Sequence, residues 1–184
     1  MNYFENEKNI YFAKIKPNAI IFNKEDENAG YDIFACFDED YILIEPHQTS
    51  LVPTGIAWAS SPEFYLQIEE RSSTGSKGIK KSAGVIDSGY RGEIKIAITN
   101  ANDIPLVLLN SNIDEKTFSE KHDTDYRNLM DKYGEILFYS TKKAIAQGIV
   151  HRVEKMKVQE ISYEELLQIS SNRGNRGWGS TNKA

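Results

Sequence analysis

The chain is written in short apolar runs closed off by turn residues, and that texture restricts it to a sandwich or barrel of strands. Ile10 to Lys16, Tyr41 to Glu45, Phe64 to Glu69, Glu93 to Thr99, Leu106 to Asn110, Ile136 to Ser140 and Ile145 to Val153 all read as strands. The clearest is Glu93 to Thr99. Ile94, Ile96 and Ile98 share one face, and Glu93, Lys95, Ala97 and Thr99 share the other, so one face is committed to a core. Pro46, Pro53, Pro62 and Pro105 are predicted between strands, where a missing N–H costs no ladder bond. With 184 residues there is material for one domain and a substantial core.

Helical signals are few. Ser162-Tyr-Glu-Glu165 has capping-box spacing ahead of Leu166 and Leu167, which predicts a short helix near the C-terminus. Between Asn112 and Gly134 the chain is strongly charged and lacks strand alternation. There Phe118, His122, Tyr126, Leu129, Met130 and Tyr133 recur at helical spacing, so the segment reads as a helical insert packing its own apolar stripe. Residues 1–169 are expected to form one β domain carrying that insert, with 170–184 as a flexible arm.

Composition removes several classes. One cysteine rules out a disulfide framework, and with three scattered histidines a closed zinc site is not expected. No apolar run approaches a membrane span, and the polar start is no secretory signal, so the expected address is the cytosol of a cell or an infected host. A net charge of −5 argues against a nucleic-acid partner. It leaves room for a small anion, because local charge decides a binding site.

Five segments carry more chemistry than architecture needs. Ala29-Gly-Tyr-Asp32 places a carboxylate just inside a strand. Arg71-Ser-Ser-Thr-Gly-Ser-Lys-Gly78 packs hydroxyls, two glycines and two cations into eight positions, a donor set suited to phosphate oxygens, though not in Walker A order. In Gly84-Val-Ile-Asp-Ser-Gly-Tyr-Arg-Gly-Glu-Ile94 three glycines are spaced as in a tight hairpin, where backbone takes positive φ or approaches something closely. Asp87 and Tyr90 inside it are a potential general base and a stacking ring. Gln147 is the one polar residue in the run Ala144 to Val150 and must find partners. Arg173-Gly-Asn-Arg-Gly-Trp-Gly-Ser-Thr181 puts a tryptophan, two arginines and two hydroxyls on a glycine-rich terminus, as an arm that orders on a ligand would.

These five segments, in this order, resemble the five motifs of the trimeric dUTPase family, over nearly the whole chain. The resemblance implies a distorted jelly-roll-like β-barrel, assembled as a homotrimer with active sites shared between chains. It implies hydrolysis of dUTP to dUMP and pyrophosphate with Mg²⁺ on the triphosphate. By position, Asp87 would activate the water that attacks the α-phosphorus, and Tyr90 would pack under the deoxyribose. The backbone from Gly84 through Ile86 to Tyr90 would read uracil. Asp32 would hold the metal through water, while Arg71, Ser72, Ser73 and Gln147 would serve the phosphates. From the arm, Arg173, Gly179, Ser180 and Thr181 would hold the terminal phosphate as Trp178 stacks on the base.

The sequence departs from the family pattern at Lys81, Ala144, Gly148, Arg176 and Trp178. Some bacteriophage members carry an insert where residues 112–134 stand, and a protein partner recognised through that insert is a second expectation. A dCTP deaminase of the same fold is the alternative enzyme. Its catalytic glutamate would fall at Ala97, which speaks for dUTPase.

Overall fold

A computed structural model describes residues 9–176. Twelve strands account for most of the regular structure. They are β1 (Ile10–Lys14), β2 (Tyr31–Ile33), β3 (Tyr41–Ile44), β4 (Thr49–Pro53), β5 (Ile56–Ser60), β6 (Phe64–Glu69), β7 (Ile79–Lys81), β8 (Val85–Ile86), β9 (Lys95–Asn100), β10 (Leu106–Leu109), β11 (Leu137–Ser140) and β12 (Ala146–Arg152). The helices are α1 (Ser72–Gly75), α2 (Glu115–Lys121), α3 (Asp123–Tyr133) and α4 (Tyr163–Gln168). Four small sheets result, in the orders β1-β5, β11-β10-β3, β2-β12-β6-β8 and β4-β9-β7. The β10–β11 pair is parallel and the other pairs are antiparallel.

The inward faces of these sheets build the main core. Ile94, Ile96 and Ile98 are buried as the alternation requires, together with Trp58, Ile33, Leu66, Ile68 and Leu108. Full burial of each such side chain is worth about 1.5–3 kcal/mol. Polar groups inside are matched. Thr54 Oγ1 donates to the Ile94 carbonyl (2.7 Å), and Asn100 Nδ2 reaches the Ile44 and Ile104 carbonyls (3.0 and 2.8 Å). Among the described residues no buried side-chain N or O lacks a partner.

Two sequence expectations are corrected. Pro53 lies in a strand, as the last residue of β4, where it sits at a sheet edge and needs no ladder bond on its outer side. Residues 84–94 do not form a hairpin. Val85 and Ile86 pair with β6, whereas β9 pairs with β4 and β7, so the segment is a loop that changes sheets. Glu93 drives the change. Its Oε1 accepts the Gly55 N–H (2.8 Å), and the next N–H, of Ile94, donates to the Ile56 carbonyl (2.8 Å).

The helical insert is two helices hinged at His122. Asp114 caps α2 by accepting the Thr117 N–H (2.7 Å), and Gly134 ends α3 in the left-handed region at φ 74°. The apolar stripe is covered. Phe118 and Leu129 pack with Val107, Leu109 and Ile113 in a second core, with Tyr41, Leu43, Tyr126, Tyr133 and Phe138 around it. His122 Nε2 and Lys121 Nζ both reach Asp40 Oδ2 (2.8 and 2.6 Å), pinning the hinge to the residue before β3.

The chain divides into two units, Met1–Val153 and Glu154–Ala184, and the predicted boundary at residue 170 falls inside the second. The described part of that second unit holds α4, where Ser162 and Glu165 exchange the two bonds of the expected capping box (3.1 and 2.8 Å). Among the described residues, no helix is long and apolar enough to cross a membrane.

Candidate active site

Strand register assembles one polar concavity. Gln147 on β12 faces Asp32 on β2 and Glu69 on β6, so three segments distant in sequence meet along one row. The cleft, of about 380 Å³, is lined by Asn28, Ala29, Gly30, Asp32, Arg71, Ser72, Ser73 and Gln147. Asp32 and Arg71 form its floor. Arg71 Nε lies 3.0 Å from Asp32 Oδ1 and Nη2 3.5 Å from Oδ2, while Nη1 donates to the Ala144 carbonyl (3.3 Å). Gln147 is fixed by donating Nε2 to the Glu70 carbonyl (2.8 Å), and its Oε1 lies against Gly30, where a methyl group would stand 2.5 Å away. A side chain at position 30 would therefore force Gln147 to shift from the place its bond to Glu70 gives it.

Within the Arg71 to Gly78 segment the chain makes one helical turn, α1, immediately after Arg71. The Thr74 hydroxyl makes it. It accepts the Arg71 N–H (3.1 Å) and donates to the Arg71 carbonyl (3.0 Å), while fully buried, which leaves Ser72 and Ser73 exposed at the cleft. Of the cations in this stretch only Arg71 lines the cleft.

Tyr139 lies buried behind Arg71 without lining the cleft, and the sequence reading missed it. Its buried hydroxyl donates to the same Ala144 carbonyl that Arg71 uses (2.7 Å). Burial pushes that hydroxyl above the ordinary phenol range, and the neighbouring Arg71 charge opposes the push. A tyrosine in an apolar strand is ordinarily core, so only the fold reveals its contact with the site.

The loop from Gly84 to Ile94 is elsewhere, and none of its residues line the cleft. Its glycines do not take positive φ; two of them allow close approach. A methyl group at Gly84 would fall 2.7 Å from Gln67 Nε2 and 2.8 Å from the Ile68 carbonyl, and one at Gly92 would run into the Tyr90 ring. The turn is anchored through the Asp87 carbonyl, which accepts Trp58 Nε1 (3.2 Å) and the Tyr90 N–H (3.1 Å). The Asp87 carboxylate is left exposed. Tyr90 donates its hydroxyl to the Glu93 carbonyl (3.1 Å) yet keeps 46% of its surface exposed. Ile86 packs its side chain on the core and offers only backbone. Trp58 is a second missed residue, since Ile56 to Ser60 was not read as a strand.

Arg173 lies in the second unit, where its Nε donates to the Arg176 carbonyl (3.0 Å). Trp178, Gly179, Ser180 and Thr181 lie outside the described residues. Among the described residues no group of three or more histidines, cysteines and carboxylates is placed to hold a metal.

Small, mostly antiparallel sheets around a main core make this a jelly-roll-like, mostly β protein, and its cleft has the donor set of a phosphate binder. The comparisons with known proteins agree. A family model for dUTPase matches residues 16–110. A deoxyuridine 5'-triphosphate nucleotidohydrolase of Leptospira interrogans is 40% identical over 103 residues, covering 54% of this chain and 70% of that protein. One from Helicobacter pylori is 28% identical over 176 residues, 94% of this chain and 95% of the other. Among solved structures, a Staphylococcus bacteriophage 80alpha dUTPase superposes with a TM-score of 0.69 at 20% identity, covering 96% of this chain and all of that one. The EIAV dUTPase gives 0.55 at 20% identity over 84% and 97%. The chain belongs to the dUTPase family.

Proposed function

We propose that this protein hydrolyses dUTP to dUMP and pyrophosphate in sites shared between copies of a homotrimer, in the cytosol of a cell or an infected host. The observation that carries the reading is the separation within one chain. Asp32, Arg71, Ser72, Ser73 and Gln147 line a phosphate-type cleft that excludes the loop bearing Asp87 and Tyr90. A cleft for the phosphates and a loop for the base then meet across a copy-to-copy boundary.

In the proposed reaction Asp87 takes a proton from a water as its oxygen bonds to the α-phosphorus. The bond from that phosphorus to the bridging oxygen breaks, and pyrophosphate leaves with the electron pair. The exposed carboxylate of Asp87 is free to reach a water, because only its carbonyl is held by the fold. Ser72 and Ser73 donate hydroxyls to phosphate oxygens, and Arg71 adds charge while fixing Asp32. Tyr90 offers its ring to the deoxyribose, and the backbone of Gly84, Ile86 and their neighbours reads the base. Arg173, Trp178, Gly179, Ser180 and Thr181 would close on the substrate from the C-terminal arm.

The cleft fits Mg²⁺ brought in by the triphosphate. Such an ion keeps several waters and takes one or two carboxylates besides phosphate oxygens, and Asp32 is one partly exposed carboxylate in a polar cleft. When bound there, Mg²⁺ would neutralise phosphate charge as the phosphorus is attacked. A phage phi11 dUTPase, 18% identical with a TM-score of 0.61, is described with a structural Mg(II) ion.

A protein partner at the insert would meet polar surface, since Phe118 and Leu129 are buried. The phage 80alpha dUTPase is described as controlling transfer of virulence genes. Deleting residues 112–134 should abolish capture of such a partner and spare hydrolysis. The test of the main reading is pyrophosphate release from each deoxynucleoside triphosphate, with and without Mg²⁺. Release from dUTP alone, lost on chelation, is expected; ammonia from dCTP would overturn it in favour of a deaminase.

A further inference from the structure

Behind the phosphate cleft, the peptide unit joining Ala144 to Ile145 ties the core to the cleft arginine. The Ala144 carbonyl accepts the Tyr139 hydroxyl (2.7 Å) and Arg71 Nη1 (3.3 Å), which uses both of its lone pairs. The Ile145 N–H of the same peptide donates to the Ile33 carbonyl (2.8 Å), on the residue after Asp32. Arg71 turns its other nitrogens to Asp32, with Nε 3.0 Å from Oδ1 and Nη2 3.5 Å from Oδ2. Tyr139 itself belongs to the main core, 5% exposed, on β11 opposite Leu108 of β10, and it does not line the cleft. A buried phenol needs a hydrogen-bond partner, and this one takes the carbonyl that also orients the cleft arginine. Burial raises the pKa of that phenol, while the Arg71 charge and the Ser73 hydroxyl oppose the rise, so both cleft residues stand near its oxygen.

We propose that Tyr139 is a positioning residue for phosphate binding. Its hydroxyl fixes the tilt of the Ala144 carbonyl, and that carbonyl sets the direction of the Arg71 guanidinium. The proposal rests on the reading that the cleft of Asp32, Arg71, Ser72, Ser73 and Gln147 takes phosphates. The shorter bond on the shared carbonyl is the tyrosine's, so the carbonyl follows Tyr139 and Arg71 follows the carbonyl. A guanidinium already aimed loses less freedom when phosphate oxygens arrive, and its planar fork rewards that pre-alignment. Without the hydroxyl, the carbonyl keeps Arg71 as its one side-chain donor and tilts about the bond from Ile145 to Ile33. Arg71 then samples directions that do not serve the cleft.

The test is a double-mutant cycle in the full chain, read on KM for dUTP and on the inhibition constant of inorganic pyrophosphate. Tyr139→Phe removes one oxygen and keeps the ring, so the core stays filled. It should raise both constants by about 3–10-fold, the worth of one hydrogen bond, with kcat within about twofold of wild type. In an Arg71→Met background the same change should add less than about 1.5-fold, because the residue it acts through is gone. The thermal midpoint should nevertheless fall further there, since the Ala144 carbonyl then loses both donors. In an Asp87→Asn background, where Arg71 is intact, Tyr139→Phe should keep its full factor. Assays run below every variant's midpoint separate lost positioning from lost folding. Wild-type constants in Tyr139→Phe, or an equal factor in both backgrounds, would overturn the proposal and leave the cleft reading intact. Wild-type constants in Arg71→Met would overturn the cleft reading, and the role of Tyr139 with it.

Discussion

Phe118→Ala tests whether the insert is built as a covered structural element. The Phe118 side chain has no solvent exposure. Its ring meets Tyr41 edge-on at 4.8 Å between centroids, Phe138 at 5.5 Å and His122 at 5.5 Å. Truncating a buried phenylalanine costs about 3–5 kcal/mol, and three ring contacts place this case toward the upper end. For a chain of this size each kcal/mol moves the midpoint by about 2–4 °C, so about 4 kcal/mol predicts a fall of roughly 8–16 °C. The assay is thermal unfolding followed by circular dichroism, with Arg127→Ala as the control. Arg127 pairs only with Asp123 four residues back (2.7 Å) on the exposed face, and its loss should cost no more than about 0.5 kcal/mol. Turnover of Phe118→Ala at low temperature should persist, because the second core is distinct from the one beneath the phosphate cleft. A midpoint shift under about 2 °C would show that the stripe is not packed on the sheet of β3, β10 and β11, and the insert's architecture would need rebuilding.

Asp87→Asn should lower kcat by about 10²–10⁴ with the midpoint unchanged, since the fold holds only the carbonyl of that residue; normal turnover by the variant would refute its role as base. Arg71→Met should raise KM for dUTP and destabilise by about 1–3 kcal/mol in urea titration, because Asp32 and the Ala144 carbonyl each lose a donor. The Tyr41 hydroxyl is pushed up to about 12 by burial and by its bond to the Asp125 carboxylate (2.7 Å). With the folded value above the unfolded 10.0, its stabilising effect is complete below pH 10 and is lost as pH climbs toward 12. Midpoints measured across that window should fall less steeply for Tyr41→Phe than for wild type, and parallel curves would contradict the assignment.

What could be read from the residues follows how local the determining forces are. The period-2 burial of Ile94, Ile96 and Ile98 and the helical character of the segment holding Phe118 and Leu129 are written in short stretches of chain and were legible, while the break into two helices at His122 was not. Short strands such as Val85–Ile86 and Ile79–Lys81 exist because β6 and β9 lie beside them, which no window of sequence contains. The same holds for the loop misread as a hairpin, whose partner is chosen by the Glu93 side chain reaching Gly55. In the site, the motifs announced Asp32, Arg71 and Gln147, while Tyr139 stayed hidden because its role is a hydroxyl aimed at a carbonyl shared with Arg71.

The separation of cleft and loop makes one further demand that a mixing experiment can test. If each site takes its cleft from one copy and its loop from another, Asp87→Asn and Arg71→Met damage different contributors. Either chain alone then fills all its sites with one defective part. In trimers assembled at random from equal amounts, a site is whole when an Asp87→Asn chain supplies the cleft and an Arg71→Met chain supplies the loop. That combination arises in about one quarter of sites. Purification through both tags removes the trimers made of one chain type, so co-expressed, differently tagged chains should be whole in about one third of their sites, and at low dUTP, where both parents are impaired, their activity should exceed the sum of the parents. A site complete within one chain gives a different result, because every chain then carries one lesion and no arrangement restores it. Activity no greater than the sum of the parents would sink the shared site and would require the loop of Asp87 and Tyr90 to close over the cleft of its own chain.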